Sequence, residues 1–527
     1  MKKILISDSV DEKCAEILKS AGFEVDFKSN LSHEELLDII PDYNALIVRS
    51  KTQVNADLID KMENIEIIGR AGAGVDNIDI TFATRKGILV INTPGGNTIS
   101  AAEHTFALML AMSRKIPQAN ISLHLKKWDR EKFQGTELYR KTLGLIGLGQ
   151  IGREVAIRAN AFGMRVIAFD PLVSKEVAAE INVFLVSKDE IWKSSDIISV
   201  HTPLNNRTVN LISQQEFSKC KKGVAIINCA RGGIINEGDL LKALKDGTVS
   251  AAALDVFEKE PPDFKQGLIQ HPAVICTPHL GASTGEAQQK VAVQIAEQLI
   301  NYFNNHTPAG IVNSAVLKET IKENLKSFIR LSEILGRILS QLRKDNLKKI
   351  GINLNGELLS GSLKLLSAAL LKGFLLEEID QPVNLVNANI LSEERGITLE
   401  EGLSTQHRDY QNLIEASIET DSEKWKFSGT VFGDNEIRII KINNFPVEFK
   451  PEGNIIIYLN IDKPGMLASV SRELSLSNIN IASLSLGRLT EGDEALTVVN
   501  LDSAIDEHIK KSILAIEGIK AIYSVSI

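Results

Sequence analysis

Arg231, Glu260 and His279 are the residues of this 527-residue chain best placed for proton and hydride chemistry. Arg231 stands in Asn228-Cys229-Ala230-Arg231-Gly232-Gly233, Glu260 in Glu258-Lys259-Glu260-Pro261-Pro262, and His279 in Thr277-Pro278-His279-Leu280-Gly281. Each follows an expected strand, at the carboxyl edge where open α/β sheets bind ligands. Oxidising an alcohol needs a base for the hydroxyl proton while hydride departs, and histidine ionises near neutral pH. A carboxylate on the other ring nitrogen fixes the tautomer and favours the protonated form. An arginine holds a substrate carboxylate through two parallel hydrogen bonds. Taken singly, each residue has a plainer reading, His279 as a turn cap and Arg231 with Glu260 as a surface ion pair. Three such residues at strand ends of one sheet favour the chemical reading.

A hydride acceptor is implied by Lys141–Asp170. An apolar run, Leu143–Gly147, leads into Gly147-Leu148-Gly149-Gln150-Ile151-Gly152, then a helical pattern with Val155, Ala156 and Ala159 on one face, then a second apolar run, Val166–Phe169, ending at Asp170. Strand, glycine turn, helix, strand and acid form the context a dinucleotide fingerprint requires. Gly147 permits the tight turn, Gly149 lets a pyrophosphate approach the backbone, and Gly152 lets helix and strand pack closely. The pyrophosphate is expected on free N–H groups at the helix start. Asp170 can accept the adenosine ribose hydroxyls, and its charge repels a 2′-phosphate, so NAD is expected over NADP. The competing reading is a glycine-rich turn without a ligand.

These residues need a parallel sheet to hold them. In the first hundred residues, strand patterns (Ile4–Ile6, Glu24–Phe27, Ala45–Val48, Ile65–Ile68, Ile88–Ile91) alternate with helical ones (Asp11–Ser20, Ser32–Ile40, Ala56–Met62, Asp79–Lys86), which predicts a parallel sheet with helices on both faces. Gly69–Gly74 reads as a turn whose backbone N–H groups face a ligand. Ser100–Ser113 is small and apolar, a helix to be buried between domains or subunits. Further strands are expected at Val183–Leu185, Ile197–Val200, Val224–Asn228, Ala251–Leu254 and Ala273–Cys276, giving a Rossmann-like sheet over 98–280. A helix over Ser283–Asn304 would return the chain to a first domain made of 1–97 and 281–313. Lys318–Lys344 reads as one amphipathic helix. Residues 314–450 show strand patterns at Lys349–Asn355 and Ile437–Ile442 and an apolar helix at Leu363–Leu371. From 453 to 527 the pattern is strand, helix, strand, strand, helix, strand (Asn454–Asn460, Met466–Leu476, Asn480–Gly487, Ala495–Leu501, Ala504–Leu514, Ala521–Val525), the order of a ferredoxin-like unit.

Length alone implies three or four domains. The composition, 44% hydrophobic and 24% charged, is that of a soluble globular chain, and a net charge of −8 without a basic run speaks against a nucleic-acid partner. Four scattered cysteines without a CxxC pair suggest neither a disulfide framework nor a metal site, and point to the cytoplasm. No secretory leader or membrane span is expected.

The segments GRAGAGVDNID (69–79), GLGQIG (147–152), NCARGGIINEGDL (228–240), ALDVFEKEPP (253–262) and TPHLGAST (277–284) resemble those of the D-isomer-specific 2-hydroxyacid dehydrogenase family, in its phosphoglycerate-oxidising branch. The last 75 residues resemble an ACT domain, and 318–450 resembles the family's intervening regulatory domain. The implied fold is α/β: two doubly wound parallel-sheet domains, a mixed α+β domain and a ferredoxin-like ACT domain. The implied reaction is NAD-dependent oxidation of 3-phosphoglycerate to 3-phosphooxypyruvate, opening serine biosynthesis. The resemblance casts Arg231 as the substrate arginine and Glu260–His279 as the relay. It implies cofactor contacts at Gln150, Ile151, Asp170, Thr202, Cys229, Ala230, Arg231, Asp255, His279 and Gly281. It places Arg49 and Arg70 near the substrate phosphate, with backbone N–H groups at Ala73–Val75, Gly74 among them, as a carboxylate cradle. Arg49 reads equally well as solvated surface charge. Arg130 is implied to reach a neighbouring subunit's site in a homotetramer. Asn460, Asp462 and Asn480 match serine-binding effector positions, although Asx residues at turns are also ordinary turn formers. Two rivals stand beside this reading. One is another member of the family, such as a glyoxylate or hydroxypyruvate reductase; the other is a nucleotide-sensing binding protein, which would need no base.

Overall fold

A computed structural model describes all 527 residues except 266, 305, 315–316, 318–322, 405–409 and 434. Four sheets organise it. The first is five-stranded and parallel: β1 (Lys3–Ile6), β2 (Glu24–Phe27), β3 (Ala45–Val48), β4 (Ile67–Arg70) and β5 (Leu89–Asn92), in the order β2-β1-β3-β4-β5. Apart from the edge strand β2, of which only Val25 is buried, its strands are short, mostly apolar runs buried on both faces, as crossover helices require. The helix Gly285–Phe303 comes back to this sheet, its Val291, Ile295 and Leu299 packing with Ile4, Ile47 and Ile67. That contact explains why β4 lies two residues later than the sequence pattern places it. Gly69 leaves the room that Ile295 and Leu299 fill, so the strand runs on through it to Arg70.

The second sheet carries seven parallel strands: β6 (Thr142–Ile146), β7 (Arg165–Phe169), β8 (Phe184–Leu185), β9 (Ile197–Val200), β10 (Val224–Asn228), β11 (Val249–Leu254) and β12 (Val274–Cys276). Their order, β12-β11-β10-β9-β6-β7-β8, reverses between β6 and β9, and ligands bind at such a switch point. The helix Thr98–Arg114 lies behind it, with Ala102, Phe106 and Met109 in the core against the fingerprint helix Gln150–Ala161.

The third sheet is mixed: β13 (Leu347–Asn355), β14 (Leu399–Ser404), β15 (Leu413–Thr420), β16 (Lys424–Phe432), β17 (Glu436–Ile442) and β18 (Phe445–Phe449), ordered β14-β13-β15-β16-β17-β18. Only β13 and β17 show in the sequence pattern. The other four are interrupted by charged residues, by a glycine in β14 and β16 and by a proline in β18, and read as irregular without their partners. The amphipathic helix is also shorter than expected. It spans Lys326–Leu342 after a 3₁₀ turn at Glu323–Leu325, and residues 318–322 of the expected helix lie outside the described residues. It crosses the helix Leu363–Leu376 with backbones in contact: a Cβ at Gly336 would overlap the Leu370 carbonyl, and one at Gly373 the Glu333 carbonyl.

The fourth sheet is antiparallel: β19 (Asn454–Ile461), β20 (Ile481–Arg488), β21 (Glu494–Leu501) and β22 (Ile519–Ser526), ordered β20-β21-β19-β22, with helices Met466–Leu476 and Glu507–Leu514 on one face. The second helix starts at Glu507, later than expected, because Asp506 caps it by accepting the Ile509 N–H. Strand β19 is buried on both sides. Ile456 and Tyr458 face the ferredoxin-like helices, while Ile455 and Ile457 join the core built by Lys326–Leu342. Among the described residues no helix is long and apolar enough to cross a membrane.

Candidate active site

The fingerprint turn has the geometry its glycines imply. Gly147 sits at φ +97°, and a side chain there would overlap the His201 carbonyl. A Cβ at Gly152 would overlap the Gly147 carbonyl oxygen, so strand and helix touch there. At Gly149 a Cβ would meet nothing within 4 Å, which leaves open space at the start of the helix. Gln150 and Ile151 begin that helix, and Gln150 Oε1 accepts from Thr98 Oγ1 at 3.1 Å. Asp170 ends β7 and accepts from the backbone N–H groups of Leu148 and Leu172, both at 2.8 Å. Thr202 follows β9, and its hydroxyl is buried without a partner among the described residues. These features suit a dinucleotide: open backbone, helix N–H groups, a fixed carboxylate and a spare buried hydroxyl at one switch point. His201, packed beside Gly152 and bonded to Ser199 Oγ at 2.9 Å, has its pKa pushed down by burial to about 4.

The strand ends β10, β11 and β12 deliver the other residues. Asn228 shapes the first turn by accepting the Ala230 N–H (3.0 Å) and donating to the Arg231 carbonyl (2.9 Å). A Cβ at Gly232 would overlap the Phe257 carbonyl, so the Arg231 turn lies directly against the Glu260 loop. Burial pushes the Cys229 thiol up to about 12, leaving it protonated and un-nucleophilic. His279 Nδ1 meets Glu260 Oε2 at 2.8 Å, and Glu260 Oε1 accepts the Phe257 N–H at 3.2 Å. Burial alone would raise the Glu260 pKa. The bond and charge of His279, with the Phe257 N–H, hold it below the ordinary value instead. His279 has a left-handed backbone, φ +54°, held by its N–H donating to the carbonyls of Asp255 and Thr277.

Asp255 is fully buried and ties the β11 and β12 ends together. Oδ1 accepts Thr277 Oγ1 (2.6 Å) and the Leu280 N–H (2.7 Å); Oδ2 accepts the Gly281 N–H (2.8 Å). His104, on the Thr98–Arg114 helix, lies 3.1 Å from Oδ1. Burial would raise the Asp255 pKa, and the bonds from His104, Thr277 and Leu280 keep it below the usual value. Asp255 therefore acts within the fold to set the loop that carries His279.

Across the cleft, Arg231 Nε donates to Asp76 Oδ2 at 2.7 Å and its terminal nitrogen Nη2 lies over Gly74. Ala73 accepts from Asn92 Nδ2 at 2.6 Å. Arg70 Nε donates to the Arg49 carbonyl and to Asn77 Oδ1, both at 3.1 Å. Burial first, then the nearby charges of Arg231 and Arg49, lowers the Arg70 pKa to about 10, so it stays cationic at neutral pH. Arg49 belongs to a loop held by Asp8, which accepts the N–H groups of Arg49 (2.6 Å), Lys51 (3.2 Å) and Thr52 (3.0 Å). Arg231 thus stands near Arg70, which also feels the charge of Arg49, while the turn that carries Arg231 lies against the loop of Glu260. Arg130 lines a different concavity with Arg114, Phe133 and Glu137. No group of three or more His, Cys, Asp or Glu side chains among the described residues is placed to hold a metal ion.

The three effector candidates are not gathered in one domain. Asn460 pairs with Ala495, whereas Asn480 precedes Ile481, which pairs with Leu501 at the Asn454 end of β19. The two ends are about 20 Å apart at strand rise. Asp462 accepts from Arg488 Nη1 (2.9 Å) and the Gly492 N–H (3.3 Å), Asn480 donates to Asp502 (2.8 Å), and the buried Asn460 Oδ1 has no partner among the described residues.

Asp8, Asn77 and His104 went unread in the sequence. Their partners lie far along the chain, and none sits at a spacing that signals a contact. Asp76 and Asn77 are visible inside GRAGAGVDNID, but only the fold shows what they bond.

The NAD-binding domain pattern of the D-isomer specific 2-hydroxyacid dehydrogenases matches residues 106–281, the D-3-phosphoglycerate dehydrogenase intervening domain 324–443, and the ACT domain 454–518. The chain is 42% identical over 519 residues to the D-3-phosphoglycerate dehydrogenase of Archaeoglobus fulgidus, covering 98% of each. It is 40% identical over 522 residues to that of Bacillus subtilis, covering 99% of each. Among solved structures, a glyoxylate reductase from Paecilomyes thermophila superposes with a TM-score of 0.55 at 29% identity, over 59% of this chain and 99% of that one. A D-lactate dehydrogenase from Aquifex aeolicus, complexed with NAD and lactic acid, gives 0.52 at 27%, over 58% and 97%. Similarity along the whole length, through the intervening and ACT regions, places the chain in the D-3-phosphoglycerate dehydrogenases of the D-isomer specific 2-hydroxyacid dehydrogenase family.

Proposed function

We propose that the cleft oxidises the 2-hydroxyl of D-3-phosphoglycerate to give 3-phosphooxypyruvate, the step that opens L-serine biosynthesis, with NAD as the acceptor. A nicotinamide held at the fingerprint turn would supply the hydride acceptor. His279 Nε2 takes the hydroxyl proton, and Glu260 on Nδ1 fixes that tautomer and stabilises the imidazolium. Arg231 holds the carboxylate against the Ala73–Val75 backbone, and Arg70 and Arg49 face the phosphate. Asp255 sets the His279 loop, and with Thr202 and Ala230 it would help to hold the cofactor, Asp255 on the nicotinamide side. The observation that carries the reading is the 2.8 Å Glu260–His279 pair, with the turn of Arg231 packed against the Glu260 loop and Arg231 close to Arg70.

NAD is favoured over NADP by the fixed Asp170 carboxylate at the end of β7. Replacing Asp170 with alanine is expected to lower kcat/KM for NAD about tenfold, as loss of a charged hydrogen-bond acceptor does, and to raise use of NADP. Steady-state rates with each coenzyme check this.

The protein acts in the cytoplasm as a homo-oligomer, a tetramer in this reading. Ile121, Leu123, Leu125 and Trp128 follow the Thr98–Arg114 helix and are more than half exposed, Trp128 by 83%, an apolar surface that suits a subunit contact. Arg130 lies in the turn just beyond it. ACT domains meeting face to face would bring Asn460 and Asp462 of one to Asn480 of the other, around an L-serine effector. The test is initial-rate NADH formation with D-3-phosphoglycerate, with and without millimolar L-serine, and with D-glycerate as control. Turnover of the phosphorylated acid alone, suppressed by serine, is expected. Equal turnover of D-glycerate would remove the phosphate role of Arg49 and Arg70 and leave an unphosphorylated 2-hydroxyacid as substrate.

A further inference from the structure

Two neighbouring residues each grip one of the cleft arginines. Asp76 Oδ2 accepts Arg231 Nε at 2.7 Å. Asn77 Oδ1 accepts Arg70 Nε at 3.1 Å, while its Nδ2 donates to the carbonyls of Thr52 (2.7 Å) and Arg49 (3.1 Å). Asp76 and Arg231 come from opposite sides of the cleft, since Asp76 follows β4 and Arg231 follows β10. The Arg231–Asp76 pair is too exposed, 29% and 62%, to add much stability. Its geometry is what matters. With Nε engaged, each guanidinium is fixed about its axis; Arg231 Nη1 also donates to the Ala230 carbonyl at 2.7 Å, which leaves Nη2 as the nitrogen it presents. Arg231 Nη2 then lies over Gly74, and Arg70 Nη1 lies against Gly72.

We infer that Asp76 and Asn77 are positioning residues for substrate recognition: one peptide unit sets the separation between the arginine for the carboxylate and the arginines for the phosphate. Consecutive Cα atoms are fixed about 3.8 Å apart, so the backbone couples the two grips. The pair selects a short acid with an anion at each end. Asn77 acts on the phosphate end through Arg70 and the Arg49 loop. Asp76 acts on the carboxylate end through Arg231. The inference rests on the roles given to those arginines above.

The test compares reduction of 3-phosphooxypyruvate and of hydroxypyruvate by NADH in the variants Asp76→Asn, Asn77→Asp, Asn77→Gln and Arg70→Gln. Asn77→Asp keeps an acceptor for Arg70 but loses both donors and places a negative charge at the phosphate end. It is expected to raise KM for 3-phosphooxypyruvate about tenfold with kcat nearly unchanged, the signature of lost uniform binding, and to leave KM for hydroxypyruvate alone. Asn77→Gln keeps the amide and recovers part of the loss. Asp76→Asn raises KM for both substrates by similar factors. NADH affinity and thermal midpoint, measured alongside, show that each variant is folded. Arg70→Gln separates the two levels of argument. If it leaves the preference for the phosphorylated substrate intact, the phosphate assignment itself is wrong. If it removes that preference and Asn77→Asp does not, only the positioning role is overturned. A lower KM in Asp76→Asn would mean that Asp76 competes with substrate for Arg231, which also overturns the inference.

Discussion

Replacing His279 with alanine lowers kcat by a factor of about 10² to 10⁴ and leaves coenzyme affinity and thermal midpoint unchanged. The size follows from the role, since the proton of the C2 hydroxyl then has only water to receive it. The unchanged coenzyme affinity follows from the fold. The loop that carries His279 is fixed through Asp255 by the Leu280 and Gly281 N–H groups and the Thr277 hydroxyl, none of which belongs to the imidazole. The left-handed backbone at residue 279 is likewise held by main-chain bonds. Glu260→Gln should reproduce a smaller part of the loss, because the ring keeps a hydrogen-bond acceptor but the imidazolium loses its counter-charge. Stopped-flow turnover and quenching of protein fluorescence by NADH read the two quantities separately. Normal turnover by the alanine variant would end the relay assignment, and loss of NADH binding would mean that the ring supports the nucleotide site.

The fingerprint glycines predict opposite failures. Gly152→Val drives carbon atoms into the Gly147 carbonyl, a backbone atom that cannot swing aside. The helix Gln150–Ala161 must lift from β6, and overpacking of this kind costs about 3 kcal/mol. Total stability is only about 5–15 kcal/mol, so a lowered thermal midpoint and poor recovery of folded enzyme are expected. Gly149→Ala meets nothing within 4 Å and sits at φ −71°, which alanine tolerates. It should fold with an unchanged midpoint and bind coenzyme markedly more weakly, because the new methyl fills the space the pyrophosphate needs. Calorimetry with a coenzyme titration distinguishes them. If Gly149→Ala bound NADH normally, the pyrophosphate would not pass over this turn.

What the sequence disclosed, it disclosed through local pattern. Gly147, Gly149, Gly152 and Asp170 fall within one strand–helix–strand unit, so their meaning is carried by spacing alone. Arg231, Glu260 and His279 could be read because each follows an apolar run by a few residues. The α/β architecture and the ferredoxin-like order at the end of the chain were legible for the same reason. Asp8 holding the Arg49 loop, His104 behind Asp255, and Asn77 bridging Arg70 to Thr52 depend on contacts between distant segments, which no periodicity records. Strands β14, β15, β16 and β18 escaped because their order comes from pairing with neighbouring strands of the sheet, β14 on β13, β15 between β13 and β16, and β18 on β17. Asn460, Asp462 and Asn480 drew notice as a motif, but not that Asn460 and Asn480 stand at opposite ends of their sheet.

Strand β19 gives one of its faces to the ferredoxin-like helices and the other to the core of Lys326–Leu342. The two C-terminal modules are in effect a single casting. At its far end, Asn384 Nδ2 and Asn387 Nδ2 donate to the Gly87 and Arg85 carbonyls (2.8 and 3.2 Å), at the turn leading into β5, which runs on toward the fingerprint domain. Whatever displaces the ACT sheet therefore pulls on that turn as through a rigid handle, without a joint near residue 450 to absorb the motion. A cut at 450 would divide a shared core and take the Tyr523 ring away from Trp425, whose centroid lies 4.8 Å from it.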